Sequence, residues 1–273
     1  MKPESGWPVF LPPFQGRIHP RYRNPQFLRA LAGCEDLLGK PACRIIHQGR
    51  NRMGVLSLPW LDRKKVEVVI KEFRLRGVDR VKSIFLKEKA AKAWAGAQVL
   101  MERGVKTPQP VAYLEKRGKL GVERSYYVCQ KLSGVEEIRF LFRRLSSSEL
   151  RDLAGVLSRY ISSWHSQGIC HRDLSDGNIL VSRDNQKYEF YLVDTNRIRI
   201  KKRIRLLPRI KNLIRLGIPG HSQRFFLAQY LETRHVPGWL WLWYRVNKAV
   251  YTFYVEWKKK LRLRQLARRL RIQ

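Results

Sequence analysis

The chain has 273 residues, 44% of them apolar, which is enough for one large domain or two lobes with a real core. Lys and Arg number 56 against 22 Asp and Glu, a net charge of +34 that calls for a polyanion, either nucleic acid or an anionic membrane surface. The scattered cysteines Cys34, Cys43, Cys129 and Cys170 form no C-x-x-C pair, which argues against a disulfide framework or a zinc site, and no run of about 18 uncharged apolar residues offers a bilayer span.

Met1–Ser5 lacks an apolar core of signal-peptide length, so the expectation is a reducing, cytosolic compartment. Residues 1–26 carry Pro3, Pro8, Pro12, Pro13, Pro20 and Pro25, a composition for extended or irregular chain. Trp7, Phe10 and Phe14 within it are suited to pinning that chain onto a neighbouring surface. A short helix is predicted after Asn24, with Pro25 in the first turn and Gly33 at the end.

Three strands are predicted next, Ala42–His47, Met53–Leu58 and Val66–Phe73. The turn between the first two holds Gly49 and is followed by Gly54, but it is not G-x-G-x-x-G. In the third strand, alternation puts Val68 and Ile70 on one face and Val69 and Lys71 on the other. Val68-Val69-Ile70-Lys71 resembles the V-A-I-K pattern, whose lysine clamps nucleotide phosphates.

A helix is predicted from about Ser83 to Arg103, closed by Gly104. In a kinase such a helix supplies a glutamate to the strand lysine; Glu88 is the candidate here, offset by more than one turn from the usual middle position. Further strands are expected near Thr107–Leu114 and Ser125–Leu132, with a break at Ser133-Gly134. Ser146-x-x-Glu149 then reads as a capping box opening a helix with Leu150, Leu153, Ala154, Leu157, Ile161 and Trp164 on one face.

That helix delivers the chain into His171-Arg172-Asp173-Leu174-Ser175-Asp176-Gly177-Asn178. The spacing is H-R-D-L-x-x-x-N, in which the aspartate takes or orients the proton of an attacking hydroxyl and the asparagine reaches Mg²⁺ on nucleotide phosphates. Sixteen residues beyond Asn178, Asp194 closes an apolar strand, where a second metal-binding carboxylate belongs. The common D-F-G is replaced by Asp194-Thr195-Asn196-Arg197. Asp173, Asn178 and Asp194 form an oxygen-rich set suited to a hard cation such as Mg²⁺.

The ordered set Lys71, His171-Arg172-Asp173, Asn178 and Asp194 resembles a protein-kinase-like fold. Three further features are similar to the bacterial lipopolysaccharide kinases that act on Kdo or heptose of the inner core. They are G-V-x-T-P-x-P-V-A at Gly104–Ala112, W-x-x-A-x-x-L at Trp94–Leu100, and V-D-x-x-R at Val193–Arg197. The resemblance implies an α+β, bilobal fold with a small, mainly antiparallel β lobe carrying one helix, and a larger helical lobe. It divides the chain into a 1–41 extension, a 42–132 lobe, a 133–235 lobe with the H-R-D loop, and basic, aromatic helices over 236–273. It implies ATP as donor, Mg²⁺ as metal and a sugar hydroxyl as acceptor. Asp173 is then the catalytic residue, Asn178 and Asp194 the metal holders, and Lys71 and Glu88 the remaining nucleotide-site residues.

Beyond Arg197 only Glu232 and Glu256 interrupt a basic C-terminal third. Trp239, Trp241, Trp243, Tyr251, Phe253, Tyr254 and Trp257 precede the run Lys258–Lys260. Aromatic residues beside Lys and Arg suit a bilayer interface. The expected partners are therefore lipopolysaccharide or another anionic glycolipid and the inner face of the inner membrane, with nucleic acid ranked below them. The competing readings are a protein or ribosome-associated kinase and a membrane-docked pseudokinase.

Overall fold

A computed structural model describes residues 6–49, 51–61, 64–74, 89–118, 121–184 and 187–269. The chain divides into two compact units, Met1–Val135 with Tyr191–Arg199, and Glu136–Phe190 with Ile200–Gln273.

The first unit is built on a seven-stranded antiparallel sheet. Its strands are β1 (Trp7–Leu11), β2 (Phe14–Ile18), β3 (Arg44–Gln48), β4 (Arg52–Pro59), β5 (Lys65–Arg74), β6 (Pro110–Gly118) and β7 (Gly121–Gln130), in the order β1-β2-β6-β7-β5-β4-β3. Of the two expectations for the proline-rich N-terminal segment, extended chain is the one seen: Trp7–Ile18 forms a hairpin at the edge of this sheet. Its Pro8 lies on β1, the outermost strand, where a missing N–H costs least; β2, paired on both sides, has no proline. Phe14 and Ile18 of β2 enter the core with Val68 and Ile70 of β5 and Leu114 of β6, while Val69 packs on the other face.

Helix α1 (Pro25–Ala32) starts as its residues require: the Asn24 side chain accepts from the Phe27 N–H at 2.9 Å, and Phe27 and Leu31 are buried. A single turn, α2 (Cys34–Leu37), follows. Helix α3 (Lys89–Glu102) lies on the opposite face of the sheet with Trp94 fully buried, and ends at Gly104 with φ of +69°, the left-handed conformation a glycine adopts without strain. The expected start of this helix at Ser83, and Glu88 with it, lie outside the described residues.

The second unit opens with the short strand β8 (Glu136–Glu137) and helix α4 (Ile138–Arg144). Helix α5 (Ser147–Ser166) begins on the predicted capping box, with Ser146 and Glu149 each bonded to the other's backbone N–H, an arrangement worth about 1 kcal/mol. Its whole apolar face, Leu150 through Trp164, is buried. Strands β9 (Ile169–His171), β10 (Ile179–Asp184) and β11 (Lys187–Leu192) follow, with β10 pairing β8 through Leu180 and Val181. The remainder is helical: α6 (Leu206–Leu213), α7 (Gly220–Leu231), which packs on α5, and the long α8 (Gly238–Arg269), which reaches α6.

Candidate active site

Two clusters of functional side chains emerge, one in each unit. In the first, β5 projects Lys71 away from the buried Val68/Ile70 face, and its ammonium forms an ion pair with Asp194. The two residues are 123 positions apart, and both side chains are more than four-fifths buried. Asp194 sits at φ 57°, a left-handed backbone unusual for aspartate, at the entry of a short 3₁₀ turn, Thr195–Arg197. That turn is pinned to α3: the Thr195 hydroxyl donates to the Ala93 carbonyl at 2.7 Å. Gly96 allows the approach, because a Cβ there would stand 2.1 Å from the Thr195 carbonyl oxygen.

Asp194 is further held by its own turn. With its amide nitrogen facing the carboxylate, Asn196 donates to Asp194 Oδ1 at 2.7 Å, and Arg197 lies 3.7 Å from Oδ2. Gly96, Thr195 and Asn196 were not singled out by the sequence motifs. The small residue on α3 was the available signal, since Gly in a helix interior costs about 1 kcal/mol and calls for a packing reason. Cys129, on β7 of the same unit, is no nucleophile: burial pushes its thiol up to about 12.

In the second unit the 171–178 loop is closed by its own backbone and side chains. The Asp173 N–H donates to His171 Nδ1 at 3.2 Å, and Asn178 Nδ2 donates to the Asp173 carbonyl at 2.7 Å. Leu174 and Ile179 are buried as anchors. A Cβ at Gly177 would meet the Arg139 guanidinium, which would have to move aside. The Asp173 carboxylate is half exposed and carries an ion pair with Arg215, in the turn after α6. Asn178, with its nitrogen committed, leaves Oδ1 as a hard oxygen of the kind Mg²⁺ takes, and in the first unit the Asp194 carboxylate is an oxygen group of the same kind.

Behind the loop runs a buried polar chain. Arg209 Nε donates to the Tyr230 hydroxyl at 2.8 Å, that hydroxyl meets His165 Nδ1 at 2.7 Å, and His165 Nε2 meets Asn212 Oδ1 at 3.0 Å. Asn212 Nδ2 then donates to the His171 carbonyl at 2.7 Å. An asparagine oxygen only accepts, so Nε2 carries the proton, and in the neutral imidazole Nδ1 accepts from Tyr230. Burial accordingly pulls His165 down to about 4. The folded state resists a proton that the unfolded chain takes near pH 6.5, so this contribution is complete above pH 6.5 and falls away as the pH drops toward 4. The loss amounts to about 3 kcal/mol over that window. Thermal denaturation should show it as a melting temperature declining below pH 6.5, and the decline should be weaker in His165→Gln.

A strand lysine ion-paired to a strand-end aspartate, a sheet backed by α3, and a helical unit carrying a closed H-R-D-x-x-x-x-N loop define a protein-kinase-like fold. A solved structure of WaaP in complex with acyl carrier protein has the same fold: TM-score 0.58, 18% identity, covering 83% of this chain and 96% of that one. The model of the lipopolysaccharide kinase (Kdo/WaaP) family matches residues 78–225, more than half of the chain, and the chain belongs to that family. Similar curated proteins are the 3-deoxy-D-manno-octulosonic acid kinases of Haemophilus influenzae strains 86-028NP and PittEE, each 28% identical over 98 residues. That match spans 36% of this chain and 40% of the length of those relatives.

Proposed function

We propose that this chain is an ATP-dependent kinase that phosphorylates a sugar hydroxyl of the lipopolysaccharide inner core, Kdo or heptose, at the inner face of the membrane. The observation that carries this reading is the Lys71–Asp194 ion pair in a member of a lipopolysaccharide kinase family. Lys71 would hold nucleotide phosphates, and Asn178 and Asp194 would hold Mg²⁺. Held by these residues, Mg²⁺ would supply neutralisation of the phosphate charge. Asp173 receives the acceptor hydroxyl's proton as the new O–P bond forms and the bond from the γ-phosphorus to the β-bridging oxygen breaks, releasing ADP. Purified protein with labelled Mg-ATP and inner-core lipopolysaccharide should yield labelled glycolipid. Labelled protein or ribosome with no labelled glycolipid would sink the reading, as would no transfer at all.

Support for the membrane comes from α8. Trp239, Leu242, Val246, Val250, Phe253 and Trp257 follow one another at steps of three and four, so they share one face, and each is more than half exposed. Leu240 and Tyr244, on the other side, are buried and fasten the helix to its unit. Among the described residues no helix is long and apolar enough to cross a membrane. An apolar stripe on a helix that carries Arg245 and Lys258–Lys260 suits the interface of an anionic leaflet, where each cation contributes about 1 kcal/mol. The protein should therefore pellet with phosphatidylglycerol vesicles more than with phosphatidylcholine vesicles, less so in high salt. Replacing Leu242, Val246, Phe253 and Trp257 by serine should weaken this at least about tenfold. If vesicles are ignored and acyl carrier protein binds instead, α8 is a protein-docking face and the membrane reading fails.

A further inference from the structure

Arg215 is tethered more firmly than an exposed ion pair requires. Its neighbours Ile214 and Leu216 are buried, and the Lys248 ammonium of α8 donates to the carbonyls of both. The Arg215 guanidinium lies over the Tyr251 ring, 5.6 Å from its centroid. Asn212, three residues before it, is tied to the His171 carbonyl. Two residues of α8 and the H-R-D loop itself thus hold one arginine against Asp173, although the pair's exposure, 40% and 39%, leaves it little to contribute to stability.

The chemistry of the pair suggests what the tethering serves. An arginine presents five N–H donors in a rigid fork matched to carboxylates. Nη1 is committed to Asp173, and the remaining donors belong to an exposed group within reach of whatever Asp173 receives. The basic stretch around it contributes no acid of its own, since Glu232 and Glu256 are the only ones beyond Arg197, and the Asp176 carboxylate beside Gly217 is the loop's second acid near it. An acceptor with an anionic group beside its reacting hydroxyl satisfies both residues at once: the hydroxyl donates to Asp173, and the anion takes the guanidinium.

We propose that Arg215 positions the acceptor and selects an acidic one, binding the carboxylate of the sugar whose hydroxyl is delivered to Asp173. This inference rests on the kinase reading above and adds to it a residue and a substrate class, a sugar acid in preference to a neutral sugar. Arg215 is a positioning and specificity residue; the proton still goes to Asp173.

The experiment pairs wild type and Arg215→Met with two acceptors. One is an inner-core glycolipid carrying 3-deoxy-D-manno-octulosonic acid, and the other is the same glycolipid with the carboxyl reduced to an alcohol. Arg215→Met should raise the KM for the acidic acceptor by about tenfold to a hundredfold, with the KM for ATP and the melting temperature unchanged. Wild type should lose a similar factor on the reduced acceptor, and the variant should lose nothing more on it. Arg215→Lys should recover part of the affinity, as charge without the fork allows. Equal losses by Arg215→Met on both acceptors, or a fall in kcat with KM untouched, would make Arg215 a brace for Asp173 and overturn the proposal. Calorimetric titration with the free sugar acid separates the two levels. Binding by wild type that Arg215→Met abolishes supports the inference even where transfer is slow. Wild type that transfers phosphate but is indifferent to residue 215 sinks the inference alone, and wild type that neither binds nor phosphorylates any acceptor sinks both.

Discussion

Asp173→Ala should lower phosphoryl transfer by about 10³-fold while leaving Mg-ATP binding intact. General base catalysis is worth about 10²–10⁴, and Asp173 is the loop carboxylate proposed to supply it. Its backbone is fixed independently of the side chain, by His171 Nδ1 on the N–H and Asn178 Nδ2 on the carbonyl. The side chain's ion pair with Arg215 is half exposed, so removing it should shift stability by no more than about 1 kcal/mol. A large fall in rate without a fall in melting temperature is therefore expected. It is read by single-turnover transfer of labelled phosphate alongside a thermal melt with and without Mg-ATP. If the variant keeps full activity, the proton leaves by another route and the assignment of the loop fails. If wild type shows neither transfer nor a Mg-ATP shift, the pseudokinase reading takes its place.

Asp194→Asn should abolish the stabilisation that Mg-ATP confers. A ligand at a hundred times its Kd stabilises by about 2.7 kcal/mol, and that shift should vanish, because the amide cannot neutralise a cation as a carboxylate does. The unliganded variant should also melt lower than wild type. Lys71 loses its counter-charge at a largely buried position, a change costing about 1–3 kcal/mol, and the Thr195–Arg197 turn loses the carboxylate that Asn196 and Arg197 hold. Transfer should fall by at least about 10²-fold. Differential scanning fluorimetry over a Mg-ATP titration reads both effects, and an undiminished Mg-ATP shift in Asp194→Asn would remove Asp194 from the nucleotide site. The two variants differ in a useful way: one keeps nucleotide binding and loses chemistry, the other loses both.

The local part of this protein is legible in its residues because local rules act over a few positions. Asn24-Pro25, Ser146-x-x-Glu149 and Gly104 state where helices begin and end, since a cap needs only its own turn. Alternation in β5 states which way Lys71 points. The H-R-D-x-x-x-x-N spacing announces a loop that the backbone of Asp173 then closes.

The remainder depended on residues far apart in the chain. No pattern pairs Lys71 with Asp194, 123 residues away, while the glutamate the motif suggests for it, Glu88, lies outside the described residues. The prolines of the first 26 residues left extended and irregular chain both open, because pairing with β6 is a tertiary event that an edge strand tolerates despite Pro8. The aromatic run of α8 was ambiguous between core and surface, since composition does not say which side of a helix meets another element. Packing decided it by burying Leu240 and Tyr244 and leaving the stripe from Trp239 to Trp257 outside. By itself, then, the sequence determined the helix caps, the facing of β5, the spacing of the H-R-D loop and the basic balance, all properties of neighbouring residues. Only the tertiary structure placed Asp194 on Lys71 and Arg215 on Asp173, because a contact between distant residues exists only once the intervening chain has folded.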